Sequence, residues 1–143
     1  MKLRPRLKAF MTPFPYSIDQ DSDLSQAMAL MEEHDVRHLP VTGGSRLIGV
    51  ITDREINAAW SVVDAADKTK LKVKDVYVSD AYVVDLNEPL DNVLIAMAKR
   101  HTGSALVTRK GKLVGVFTHS DACRCFGEYL RRRLPGGNGD NAA

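Results

Sequence analysis

The chain has 143 residues, 44% of them hydrophobic and 27% charged, a balance that excludes overall disorder and fits a compact folded protein. Twenty basic and eighteen acidic residues leave a formal charge of +2, too even to indicate nucleic acid. No apolar run approaches the roughly 20 residues that a membrane-spanning helix needs, so the chain does not read as membrane-embedded.

The first residues, Met1 to Lys8, are basic, but no long apolar stretch or small-residue cleavage site follows. This is not a secretory signal, and residues 1–9 read as a basic extension of a cytoplasmic protein. Tyr16-Ser17-Ile18-Asp19 is a short strand candidate. After it, Leu24, Ala27, Met28 and Met31 follow the i, i+3, i+4, i+7 spacing of a helix with one buried face. Asp21 is the expected N-cap. Asp19, Asp21 and Asp23 imitate the opening of a calcium loop, yet Leu24 and Leu30 stand where glycine and glutamate are required, which rejects it.

Two strands come next, Leu39–Thr42 and Leu47–Thr52, turned by Gly43-Gly44-Ser45, and a closing helix starts at Asp53. Residues 64–74 form a polar linker. The same order then returns. Tyr82-Val83-Val84-Asp85 is a strand, and Asn87 caps a helix whose inner face is Leu90, Val93, Leu94 and Met97. Ala105–Thr108 and Lys112–Thr118 are strands turned by Arg109-Lys110-Gly111, and a last helix starts at His119. Its two cysteines, Cys123 and Cys125, point in different directions, which disfavours a disulfide or a shared metal and suits reduced thiols packing as small hydrophobes. The four histidines show no zinc-type spacing with them, so no metal site is expected. Arg131-Arg132-Arg133 suits a solvated helix end, and residues 134–143 read as a disordered tail.

The recurrence has a fixed offset of 66 positions and needs no gap. Leu24 falls on Leu90, Met31 on Met97, Val41 on Val107, Gly49 on Gly115, Val50 on Val116 and Thr52 on Thr118. A run this long indicates duplication. Two copies make one pseudo-symmetric α/β domain of two β-α-β-β-α repeats that bury a common face, with paired clefts between them.

The stretch His38-Leu39-Pro40-Val41 with Leu47-Ile48-Gly49-Val50-Ile51-Thr52-Asp53-Arg54-Glu55 resembles a motif of the cystathionine-β-synthase (CBS) domain. Its partner is Ser104-Ala105-Leu106-Val107 with Leu113-Val114-Gly115-Val116-Phe117-Thr118-His119-Ser120-Asp121. Phe10-Met11-Thr12-Pro13 and Val73-Lys74-Asp75-Val76 are similar to the lead-ins of such repeats. The resemblance implies a tandem CBS pair, or Bateman module, with repeats over residues 10–63 and 75–133. It further implies a homodimer and a regulatory protein that binds AMP, ADP, ATP or S-adenosylmethionine and signals to an unknown target enzyme or transporter.

By that resemblance Thr118 and Asp121 hold a ribose, with Thr52 and Glu55 as their counterparts in the first repeat. Adenine lies near Ser17 and Ile18, or near Val83 and Val84. Arg37, His38, Arg54 and His119 meet phosphates. The chemistry suits these residue types, since a carboxylate accepts from both ribose hydroxyls and arginine binds phosphate bidentately. Glu55 departs from the family's aspartate, and Gly103-Ser104 replaces Arg37-His38 in the second copy, so the clefts are unequal. No serine–histidine–acid pattern, metal cluster or glycine-rich phosphate loop points to an enzyme. The alternative is a constitutive dimeric scaffold with no physiological nucleotide.

Overall fold

The structure, a computed structural model, describes residues 4–133. The expected disordered tail and the first three residues of the basic extension lie outside the described residues.

After a short 3-10 helix at Leu7–Ala9 come β1 (Thr12–Pro13), β2 (Ile18–Asp19), α1 (Leu24–His34), β3 (His38–Gly43), β4 (Arg46–Thr52) and α2 (Asp53–Ser61). Of two one-turn helices, α3 (Ala65–Lys68) lies within the predicted linker over 64–74 and α4 (Val73–Val76) straddles its end. The second copy runs β5 (Val83–Asp85), α5 (Leu90–Arg100), β6 (Ser104–Arg109), β7 (Lys112–Thr118) and α6 (His119–Arg133). In each copy a parallel strand joins an antiparallel hairpin, giving the sheets β2-β3-β4 and β1-β7-β6-β5.

The offset of 66 holds down to irregularities. The hairpins carry bulges between Val41 and Thr42 and between Val107 and Thr108. Both first helices end on a residue in the left-handed region, Asp35 at φ 52° and His101 at φ 55°. Such a C-terminal residue lets the chain reverse while satisfying carbonyls of the last turn.

Each half has its own core. Leu24, Ala27 and Met31 of α1 pack with Leu39, Val41, Ile51 and Ile56; Leu90, Val93 and Met97 of α5 pack with Ala105, Val107 and Phe117. Met28 is only partly buried and Leu94 is 36% exposed, so the inner helix faces are narrower than the periodicity suggested. Val50, Leu106 and Val116 form a third cluster where β4 and β7 bring the sheets together. Cys125 packs on the second core, whereas Cys123 is exposed and does not pack as a small hydrophobe.

The lead-in segments are exchanged between the halves. Leu7, fully buried, lies in the core of the second half with Phe10 and Met11 beside it, and Val73 lies in the core of the first. Matching backbone bonds hold the two arms. Leu7 N donates to Glu88 O at 2.9 Å and Leu90 N to Pro5 O at 2.8 Å; Val73 N donates to Ser22 O at 2.8 Å and Leu24 N to Leu71 O at 3.1 Å. β1 then pairs with β7 at Thr12 and Val116, and Val78 pairs with Val50 in the equivalent bridge. Gly49 and Gly115 sit inside strands because these arms pass over them. A Cβ at Gly49 would lie 2.2 Å from Val78 O, and one at Gly115 2.4 Å from Met11 Sδ.

The helix starts differ from expectation. Asp19 and Asp85 accept from the amides of Asp21 and Asn87, each at 2.8 Å, and hold these residues in turns ahead of the helix. Neither Asp21 nor Asn87 is the N-cap. Asp23 caps α1, with its amide donating to Gln26 Oε1 at 2.8 Å, and Pro89 precedes α5.

Candidate functional site

Two clefts open between the halves, and their walls correspond residue by residue at the repeat offset. The larger, about 720 Å3, is walled by the chain entering from β1 (Phe14, Pro15, Tyr16), by His34–His38 after α1, and by Thr118, His119 and Asp121 at the start of α6. The smaller, about 410 Å3, is walled by Asp80, Ala81 and Tyr82, by His101–Ser104, and by Thr52 to Glu55 at the start of α2. The exchanged arms thus build one wall of each cleft. Arg37, His38 and His119 line both clefts and mark their junction.

In the larger cleft Asp121 is 7% exposed, buried for a carboxylate. Its Oδ2 accepts from the Thr118 amide at 2.9 Å and the Thr118 hydroxyl at 3.1 Å, and Oδ1 accepts from Arg124 Nη2 at 2.9 Å. The Asp121 amide reaches back to the Thr118 hydroxyl at 3.4 Å, so the pair also closes the first turn of α6. Hydrogen bonding to Asp121 raises the pKa of Arg124, with their opposite charges adding to it. A carboxylate has about four acceptor positions, so these three bonds leave one of them for a further donor. In the smaller cleft the Thr52 hydroxyl bonds to Glu55 Oε2, the equivalent pair with a longer acid.

Tyr16 stacks on His34 with ring centroids 3.7 Å apart, and Arg100 lies over the Tyr82 ring at 4.9 Å. Phe14, 92% exposed at the mouth of the larger cleft, adopts φ 50°, a left-handed conformation unusual for a bulky residue. At the junction Arg37 Nη1 bonds to Asp53 Oδ2 at 3.0 Å. His38 is packed against Gly103, where a Cβ would lie 2.8 Å from its Cε1, and its Nδ1 is buried without a hydrogen-bond partner. Burial pushes the His38 pKa down, His119 adds to this, and Asp53 and Glu55 partly oppose it. Burial thus favours the neutral imidazole over the charged one.

The CBS domain model matches residues 7–62 and 73–128, most of the chain and both copies. The chain belongs to the CBS-domain family. It is 27% identical over 113 residues to hypoxic response protein 1 of Mycobacterium tuberculosis, covering 78% of each chain. It is 24% identical over 123 residues to an L-aspartate semialdehyde sulfurtransferase of Methanocaldococcus jannaschii; the match takes in 85% of this chain but spans only 23% of that enzyme. Among solved structures, an acetoin utilization protein (AcuB) of Vibrio cholerae described as putative is similar at TM-score 0.80 and 26% identity, covering 93% of this chain and all of that one. The CBS domain pair of protein MJ0100, solved with 5′-methylthioadenosine and S-adenosylmethionine, shares the fold at TM-score 0.79 and 22% identity, covering 89% of this chain and 99% of that one. The two repeats therefore form a CBS pair. Among the described residues no helix is long and apolar enough to cross a membrane.

Within this CBS pair, the residues marked by sequence divide unevenly. Thr118, His119, Asp121, Arg37 and His38 come together on the larger cleft; Thr52, Arg54, Glu55, Arg37, His38 and His119 come together on the smaller. Ser17, Ile18, Val83 and Val84 line neither. Ile18 is buried in the first core, Val84 packs on the second, and Ser17 and Val83 are exposed outside both clefts. The preceding residues, Tyr16 and Tyr82, face the clefts instead.

Proposed function

We propose that this CBS pair is a regulatory module that binds an adenosyl compound in the larger cleft. The observation that carries the reading is the buried Asp121–Thr118 pair at the start of α6, facing Tyr16 across a cleft of about 720 Å3. A nucleoside needs such elements: a carboxylate for the ribose hydroxyls, an aromatic wall for the base, and a cation near a phosphate. Asp121 takes the ribose, Tyr16 and Phe14 offer ring faces for adenine, and Arg37 with the start of α6 meets a 5′-substituent. Support comes from CBS pairs of the same fold, one solved with 5′-methylthioadenosine and S-adenosylmethionine and another, CBSX2, with AMP.

The output is a shift between arrangements of the two halves or of two protomers, set by the ligand's differential affinity for them. A target enzyme or transporter in the cytoplasm reads that shift. Exposed Ile95 on α5 and Phe126, Tyr129 and Leu130 on α6 supply an apolar face for a second copy.

Thermal melting with AMP, ADP, ATP, S-adenosylmethionine and 5′-methylthioadenosine tests the reading. A ligand at ~100 times its Kd stabilises the native state by about 2.7 kcal/mol. For a chain of this size that raises Tm by roughly 5–10 °C. No shift across the panel would transfer the account to a scaffold without a nucleotide.

A further inference from the structure

Resting on that reading, we infer that the two clefts are energetically coupled through Arg37, so that a phosphate bound in one weakens binding of a second phosphate in the other. Three observations carry this. Arg37, His38 and His119 are walls of both clefts, so the two sites meet at one shared junction. Arg37 is the one lysine or arginine among the residues lining the larger cleft, whose carboxylates are Asp35 and Asp121. Arg37 bonds to Asp53 at 3.0 Å on the wall of the smaller cleft.

The consequence follows from charge. A phosphate in the larger cleft draws the Arg37 guanidinium toward itself and away from Asp53. The Asp53 carboxylate is then uncompensated at the smaller cleft, beside Glu55, with Arg54 on the same wall and Arg100 already paired with Asp80 at 3.7 Å. A second phosphate entering there meets more negative charge than it would with the Arg37–Asp53 pair intact. His38, whose charged form is disfavoured by burial, is a poor source of compensating charge. An adenosyl ligand without a phosphate leaves the Arg37–Asp53 pair in place, and its two binding events are independent. Coupling of this kind is reciprocal, and because the Arg37 side chain is 76% exposed in its pair with Asp53 it amounts to a factor of roughly 2–5.

The test uses AMP and adenosine, which share base and ribose and differ in the phosphate. In 15N-resolved NMR titrations the amides of Thr118 and Thr52 report the larger and smaller clefts separately. The smaller-cleft Kd is measured in the wild type, where the larger cleft also fills, and in Asp121→Asn, where the larger cleft binds roughly 10–100-fold more weakly and stays largely unfilled over the same AMP range. AMP is expected to bind the smaller cleft roughly 2–5-fold more tightly in the variant, and adenosine equally in both. Arg37→Gln supplies a second arm that does not touch the first turn of α6: with the relay removed, the ratio of the two AMP affinities moves to the adenosine ratio. Equal AMP affinities at the smaller cleft in wild type and Asp121→Asn would overturn the coupling while leaving the adenosyl reading intact. So would an adenosine difference as large as that for AMP, or an Arg37→Gln ratio unchanged from the wild type. If neither compound moves either amide, the reading and the coupling fall together.

Discussion

Leu7→Ala isolates the exchange of lead-in segments from everything a sequence-local picture of the chain would say. Leu7 sits among basic residues where composition suggests a solvated extension, yet its side chain is fully buried against the second half's core. Burying a leucine contributes about 1.5–3 kcal/mol, and truncating one in a packed core costs about 2–5 kcal/mol once the cavity is included. Backbone bonds to Glu88 and Leu86, both 2.9 Å, hold the segment in place and limit collapse around the void. A loss near 3 kcal/mol is expected, lowering Tm by roughly 6–12 °C for a chain of this length. Lys8→Ala is the control, one residue away and exposed, with an expected effect within about 0.5 kcal/mol. Urea unfolding followed by circular dichroism gives both values, and the slope should stay constant if only stability changes. Because the same segment leads into Phe14–Tyr16 on the larger cleft, Leu7→Ala should also weaken ligand binding there. Indistinguishable midpoints for Leu7→Ala and Lys8→Ala would refute the exchange.

Two glycine substitutions should move stability in opposite directions. Gly49→Ala drives a Cβ to 2.2 Å from a backbone oxygen of the crossing arm, with an expected cost of about 1–3 kcal/mol, whereas Gly127→Ala on α6 meets nothing within 4 Å and should gain about 0.5–1 kcal/mol. Equal melting temperatures would contradict the close approach at Gly49. The His38 imidazole, its pKa held below the usual 6.5 by burial, binds a proton less readily in the folded chain than in the unfolded one. Its contribution to stability is therefore complete above pH 6.5 and is lost as pH falls from there toward the lowered folded value. Melting curves from pH 7.5 to 5.5 should fall less steeply for His38→Asn than for the wild type, and parallel curves would sink this assignment.

Much of the fold was legible because duplication prints every local signal twice. The hairpins β3–β4 and β6–β7 and the helix faces of Leu24, Ala27 and Met31 and of Leu90, Val93 and Met97 lie close to where periodicity placed them. The helix starts were displaced by two residues because Asp19 and Asp85 capture the amides that a cap at Asp21 or Asn87 presupposes. That competition between side-chain turns and capping leaves no mark in hydrophobic spacing. The exchanged arms were invisible for another reason: β1 has two residues and its partner β7 begins at Lys112, so neither period nor proximity announces the pairing. At the site, residues fixed to the hairpin ends, Thr52 to Glu55 and Thr118 to Asp121, were placed on the clefts by their motif. The aromatic walls were not, since Tyr16 and Tyr82 reach the clefts only through the path of those arms.

The central claim is that Asp121 holds the sugar of an adenosyl ligand in the larger cleft. Isothermal titration calorimetry of AMP and S-adenosylmethionine against the wild type and Asp121→Asn tests it most directly, with circular dichroism verifying that the variant is folded. Hydrogen bonds to a charged group contribute about 1.5–3 kcal/mol, so the account predicts a loss of roughly 10–100-fold in affinity for whichever compound binds. Undiminished affinity in a folded Asp121→Asn would contradict it.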